Sequence, residues 1–245
     1  MIILGIDTCG REGSLALVRS DDHSSEMLEQ VSLAGRTYSA QVIPQLAAAL
    51  ERQKLAKNAV DLYAVASGPG SFTGLRVGIA TVKALADVFA KPVVEVSVLE
   101  AMAYCSTKRA GRVVAVLDAQ RAEVYVGEYE VGGNLPKLER EVLMSQAEFV
   151  ASFSVVPPHS SNRSLNGAPA YVITSDESVF AFLSQAGVAS ELIERPSAAL
   201  IAEIGAHKLR AGITVAPELL DANYIRRSDA EIFSAPKLGI TTERR

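Results

Sequence analysis

Two aspartates and one glycine-rich turn are the places where residue type and spacing could do chemistry. Asp7 ends the apolar run Ile2-Ile3-Leu4-Gly5-Ile6 and is followed by Thr8-Cys9-Gly10; Asp118 ends Val113 to Leu117 and is followed by Ala119-Gln120-Arg121. A carboxylate at the end of a buried strand can hold a metal-bound phosphate in a cleft. It can equally do no more than cap the next turn through backbone amides. Asp7, Thr8 and Asp118 are therefore the candidates for a weak phosphate cleft, with turn capping as the alternative.

The third place is Ser67-Gly68-Pro69-Gly70-Ser71-Phe72-Thr73-Gly74-Leu75-Arg76, between a buried run and an amphipathic one. Such a turn can cradle phosphate on helix N-terminal amides. A Walker A loop also needs a Lys-Ser or Lys-Thr pair after its last glycine, and Leu75-Arg76 stand there instead. The Gly-x-Ser-x-Gly spacing of a nucleophile elbow is missing too. What remains is the helix that the turn opens. At about 100° per residue, Leu75, Ile79, Val82, Ala86 and Phe89 form one apolar stripe. Gly74, Gly78, Thr81, Leu85 and Val88 form a second, and Arg76, Ala80, Lys83 and Asp87 fill the remaining face. One stripe packs a helix on its own sheet. A second, built partly from small residues, admits another helix closely, from the same chain or from a second protein; the pattern alone leaves both open.

Metal and proton-transfer chemistry has little to work with. His23, His159 and His207 are isolated, with no His-x-x-x-His and no His-Glu-x-x-His. Glu100 and Glu123 are scattered carboxylates rather than an acid/base pair. Cys9 and Cys105 lack both a disulfide framework and metal spacing. No catalytic residue and no metal site is assigned.

The elements that must position these residues repeat. Strands are expected near 2–7, 14–18, 26–33, 62–66 and 93–96, with helices near 38–52, 73–89 and 98–107. The second half offers strands near 113–117, 124–129, 139–143, 171–174 and 192–193, and helices near 146–153, 176–186 and 197–210, the first capped by Ser145 with Glu148. Each half reads β-β-β-α-β-α-β-α, and each places its Asp at the same point. That is an α/β protein of two duplicated ribonuclease-H-like lobes, as in actin and Hsp70, each a mixed five-stranded sheet flanked by helices. The expected bounds are residues 1–108 for the first lobe, 109–216 for the second and 217–245 for a tail without period. The last helix, 197–211, is expected to be able to pack back on the first lobe. A working nucleotide site also needs a glycine-rich adenosine loop late in the second half, where Pro196 to Gly212 reads as plain helix.

Composition narrows the partners. The formal net charge is −4 and Trp is absent; a dedicated nucleic-acid binder carries a basic excess and aromatic platforms. Contact with RNA is therefore expected to be indirect. The N-terminus lacks a basic leader and no apolar run reaches the ~20 residues of a membrane span, so a cytoplasmic location is expected.

The blocks Ile6-Asp7-Thr8, Gly68 to Gly78 and Asp118-Ala119-Gln120-Arg121-Ala122-Glu123-Val124-Tyr125, with Tyr224-Ile225-Arg226-Arg227 and Lys237-Leu238, resemble the TsaB family. The resemblance implies a non-catalytic accessory subunit of the machinery that makes threonylcarbamoyladenosine at adenosine 37 of tRNA. It implies a heterodimer with the catalytic paralogue TsaD, with the ATPase TsaE joining. No cofactor is intrinsic, ATP acts at the level of the complex, and tRNA is reached only through it. The catalytic paralogue holds its metal with a His-x-x-x-His pair; Val98 and Met102 stand at the corresponding positions here and cannot ligate a divalent metal. The family's partner interface maps onto Gly70, Phe72, Thr73, Gly74, Val77, Gly78, Thr81, Leu85 and Val88, and the same helix could pair two copies of the free chain. The alternatives are a stand-alone ATP-binding enzyme of the actin-like superfamily and, on a label the wider family has carried, a glycopeptidase.

Overall fold

The structure is a computed structural model that describes residues 1–21, 24–34, 37–106, 111–154, 170–223 and 225. The first half runs β1 (Ile2–Asp7), β2 (Glu12–Ser20), β3 (Ser25–Ala34), α1 (Tyr38–Arg52), β4 (Leu62–Gly68), α2 (Phe72–Phe89), β5 (Val93–Ser97) and α3 (Val98–Tyr104). The second runs β6 (Gly111–Asp118), β7 (Glu123–Val131), β8 (Lys137–Ser145), α4 (Gln146–Ser154), β9 (Ala170–Thr174), α5 (Glu177–Gln185), β10 (Ser190–Leu192) and α6 (Ala198–Arg210). A 3-10 turn, Pro217–Leu219, follows.

Both sheets have five strands in the same mixed order. The first is β3-β2-β1-β4-β5 and the second β8-β7-β6-β9-β10. β2 returns antiparallel on β1, pairing Asp7 with Ser14, while β4 joins β1 in parallel, pairing Ile6 with Val65. The duplicated ribonuclease-H-like architecture is thus present. Helix ends follow their caps. Ser71 caps α2, and the helix stops at Ala90 in the left-handed region, φ 50°. Ser97 and Glu100 form a capping box on α3. Ser145 and Glu148 exchange the reciprocal bonds of another at α4.

The third helix of each half crosses to the other half's sheet. α6 lies on β1, β2 and β4, and α3 lies on β6 and β7. Glycines set these approaches: a Cβ on Gly5 of β1 would fall 2.0 Å from the Ala198 carbonyl oxygen, and one on Gly127 of β7 would fall 2.9 Å from Leu99 Cβ. Strand alternation then divides β6 between two cores. Val113, Ala115 and Leu117 join the large core that runs through the first half; Val114 and Val116 join a smaller one with Phe149, Val179 and Leu183. Glu128 is fully buried on β7 and is held by Arg112 at 2.8 Å and Arg140 at 2.5 Å.

His23, His159, the stretch between the expected lobes, and the tail residues Tyr224, Arg226, Arg227, Lys237 and Leu238 lie outside the described residues.

Candidate functional site

The glycine-rich turn is built to press α2 against the β1–β2 turn. Gly68, φ +109°, ends β4 in a conformation that glycine tolerates. The Ser71 amide donates to the Cys9 carbonyl at 2.7 Å, and Thr8 Oγ1 donates to the Gly74 carbonyl at 2.7 Å. A Cβ on Gly70 would meet the Cys9 carbonyl oxygen at 2.3 Å, and one on Gly74 the Thr8 carbonyl oxygen at 2.0 Å. One on Gly78 would meet Thr8 Oγ1 at 2.5 Å.

This corrects part of the expected docking set. Gly74 and Gly78 are buried against this chain's own Thr8 and cannot face a second protein. Their small size serves a neighbour within the chain. The stripe that does face outward is rotated from the expected one: Thr73, Val77, Ala80, Thr81, Ala84 and Val88, with Leu85 at its margin. Val88 is 74% exposed and Phe72 39%. Arg76 stacks 3.8 Å over the Phe72 ring. Thr73, Val77, Ala80 and Ala84 follow a 4-3-4 spacing, the seam that a partner helix fits. α1 packs beside α2, and its Ile43 is 50% exposed. Sequence spacing missed Ile43, Ala80 and Ala84; Ile43 was legible only as an apolar residue off the Val42-Leu46-Leu50 stripe.

The phosphate-cleft candidates are engaged in the chain itself. Asp7 is 4% exposed, and its Oδ1 accepts from the Cys9 amide at 2.8 Å. Its Oδ2 lies 3.5 Å from Arg195 Nη2. Arg195, just before α6, also lies against Gly10, and no sequence signal pointed to it. Thr8 is 1% exposed and spent on Gly74. Asp118 Oδ1 accepts from the Gln120 amide at 2.9 Å, holding a turn in which Gln120, Arg121 and Ala122 all have positive φ. Burial, reinforced by Asp7, pushes the Cys9 thiol well up, so it stays protonated. Burial also pushes the Tyr38 phenol up to about 12; it donates to the Gly10 carbonyl at 2.9 Å. Asp7 Oδ1 and Asp118 Oδ1 thus each hold a turn through a backbone amide.

Between the lobes lies a polar cavity of about 440 Å³, lined among others by Ser97, Glu100, Tyr129, Glu141, Lys208 and Asn223. Lys208 Nζ donates to Glu100 at 2.6 Å, and burial outweighs that ammonium in holding the Glu100 carboxyl above its ordinary range. Val98 and Met102 of α3 are buried apolar residues of the core. Among the described residues no cluster of His, Cys, Asp and Glu could hold a metal ion, and no helix is long and apolar enough to cross a membrane.

Residues 32–233 match the family model described as TsaD, tRNA N6-adenosine threonylcarbamoyltransferase. A tRNA threonylcarbamoyladenosine biosynthesis protein TsaB from Bacillus subtilis is 32% identical over 135 residues, 55% of this chain and 58% of the relative. Another, from Haemophilus influenzae, is 36% identical over 127 residues, 51% of this chain and 52% of the relative. The chain thus spans little more than half the length of these relatives. A crystal structure of an uncharacterized protein from Pseudomonas aeruginosa with similarity to peptidase YEAZ superposes with TM-score 0.71 at 25% identity, covering 92% of this chain and 99% of that one.

Proposed function

We infer function from one premise: this chain belongs to the family of TsaD, the tRNA N6-adenosine threonylcarbamoyltransferase. We propose that within it the chain is an accessory member of the TsaB type, acting in threonylcarbamoyladenosine biosynthesis by docking on a catalytic TsaD subunit. TsaE joins the pair, ATP acts at the level of the complex, and tRNA is met through it.

The observation that carries this reading is the outward face of α2. Thr73, Val77, Ala80, Ala84 and Val88 make an uncharged stripe of small and apolar side chains along the helix. Such a patch marks an interaction surface, and small residues let a second helix approach closely. Two further facts agree with an accessory role. The candidate phosphate carboxylates are engaged in turns. Val98 and Met102 occupy the positions at which the resemblance places the catalytic metal pair.

Co-purification with TsaD, followed by tRNA modification reconstituted with and without this chain, tests the reading. Thr81→Arg should abolish both the pairing and the stimulation while the variant stays folded. Undiminished pairing would overturn the proposed interface. Tight binding of ATP and magnesium with turnover by the chain alone would favour the stand-alone enzyme instead.

A further inference from the structure

The segment after α6 is the part of the described chain that neither the periodicity nor the docking reading uses, and its contacts are specific. Val215 pairs antiparallel with Val93 at the edge of the first sheet. The 3-10 turn Pro217–Leu219 packs against α2, where Lys83 Nζ donates to the Glu218 carbonyl at 3.4 Å. Leu220 and Ala222 then enter the core. Asn223 closes the path. Its amide donates to the Ser67 carbonyl at 2.8 Å, at the mouth of the glycine-rich turn. Its carbonyl lies 3.4 Å from the place of a Cβ on Gly68.

The Asn223 side chain reaches the other lobe. Nδ2 donates to Glu141 Oε2 of β8 at 2.6 Å. The opposite oxygen, Oε1, accepts from Ser97, the cap of α3, and from Tyr129 of β7. One carboxylate therefore holds the second lobe, the first lobe's α3 and the segment that ends on the glycine-rich turn. Each bond is charge-assisted and partly removed from water, which makes it stronger than a neutral one.

We propose that residues 213–223 are a strap and that Glu141 and Asn223 are its buckle, positioning the glycine-rich turn, and through it α2, according to how the two lobes sit. The proposal deepens the docking reading and rests on it for its consequence: Glu141 and Asn223 are positioning residues for a surface that neither touches. Loosening the buckle frees the Ser67–Arg76 turn, and the partner then meets a docking helix whose first turn is no longer fixed.

The test uses the full chain and a swap. Asn223→Asp keeps the size and the backbone bond to Ser67 but sets a carboxylate against Glu141. Amides of residues 70–76 should then exchange hydrogen about tenfold faster, the order expected for losing one charge-assisted bond, while amides of β6 stay unchanged. Affinity for TsaD should fall about tenfold as well, for the same lost bond. The double variant Glu141→Gln with Asn223→Asp reverses donor and acceptor and should restore slow exchange and affinity; Asn223→Ala serves as a second opening variant. Unchanged exchange at 70–76 in both opening variants overturns the proposal, as does a folded double variant that exchanges as fast as Asn223→Asp. Ala84→Arg separates the two readings. If it leaves TsaD binding intact, the docking reading fails, and the exchange measurements on the free chain still decide whether the buckle holds the turn.

Discussion

The two halves share a strand order and differ in the helices laid over it. α2 has 18 residues and its counterpart α5 has 9; α1 has 15 and its counterpart α4 has 9. At 1.5 Å per residue, α2 is roughly 27 Å long and α5 roughly 13 Å. The outward residues differ in kind. α5 shows Glu177, Ser178, Ala181 and Ser184 to solvent, whereas α2 shows Thr73, Ala80, Ala84 and Val88, with the charged Arg76 and Asp87 beside them. The duplication built one frame twice, and the proposed docking surface lies on the copy with the longer helices.

The comparison can be broken most sharply with a charge. Ala84→Arg on α2 should weaken TsaD association by about a hundredfold, because an unpaired charge in an interface is costly. Ala181→Arg on α5 should change it less than about twofold, as a solvated surface substitution does. Equal effects, measured by titration of the two folded variants, would erase the distinction between the halves.

Glycines sharpen the contrast next. Gly74→Val drives a side chain into Thr8 and should destabilise the chain by about 3 kcal/mol. Gly187→Ala, just after α5, meets open space and a positive φ of 72°, and should cost about 1 kcal/mol. Urea midpoints read both. The strand-end aspartates come third. Asp7→Asn loses a buried ion partner of Arg195 and should cost about 2 kcal/mol. Asp118→Asn, in a half-buried turn cap, should cost about 1 kcal/mol or less.

The smallest effect is alkaline. Tyr38 titrates near 12 in the folded chain and near 10 when unfolded. Its folded pKa is the higher one, so the stabilisation is complete below about pH 10 and is lost as pH rises towards about 12. Burial raises Tyr104 and Tyr129 as well. Tyr38→Phe should therefore make the alkaline fall in stability shallower without abolishing it, in unfolding followed between pH 9 and 12.

Much of this frame was legible in the sequence because it is written in short periods. Ile2 to Ile6 is apolar throughout and lies in a central strand; Val42, Leu46 and Leu50 repeat as a helix and are buried. Val113 to Leu117 is likewise an unbroken apolar run and is a buried strand. What the sequence did not reveal concerns which neighbour covers which face. Gly74 and Gly78 were correctly placed on one stripe, yet the atoms they spare belong to Thr8, some seventy residues earlier in the chain. Arg195 sits in an irregular stretch before α6, where no period marks a residue as a partner of Asp7. The strap buries Leu220 and Ala222 on either side of Asp221, too few apolar side chains to make a pattern.

The crossing of α3 and α6 has a consequence for how the molecule is made. The Ala198 amide bonds to Ser14 across 184 positions, and the first sheet receives its covering helix only when α6 has been synthesised. A chain emerging from the ribosome therefore carries a bare apolar sheet face through most of translation. Such delayed, long-range closure slows folding and exposes sticky surface. Until α6 arrives, that face of the first sheet lacks the helix that covers it in the finished molecule.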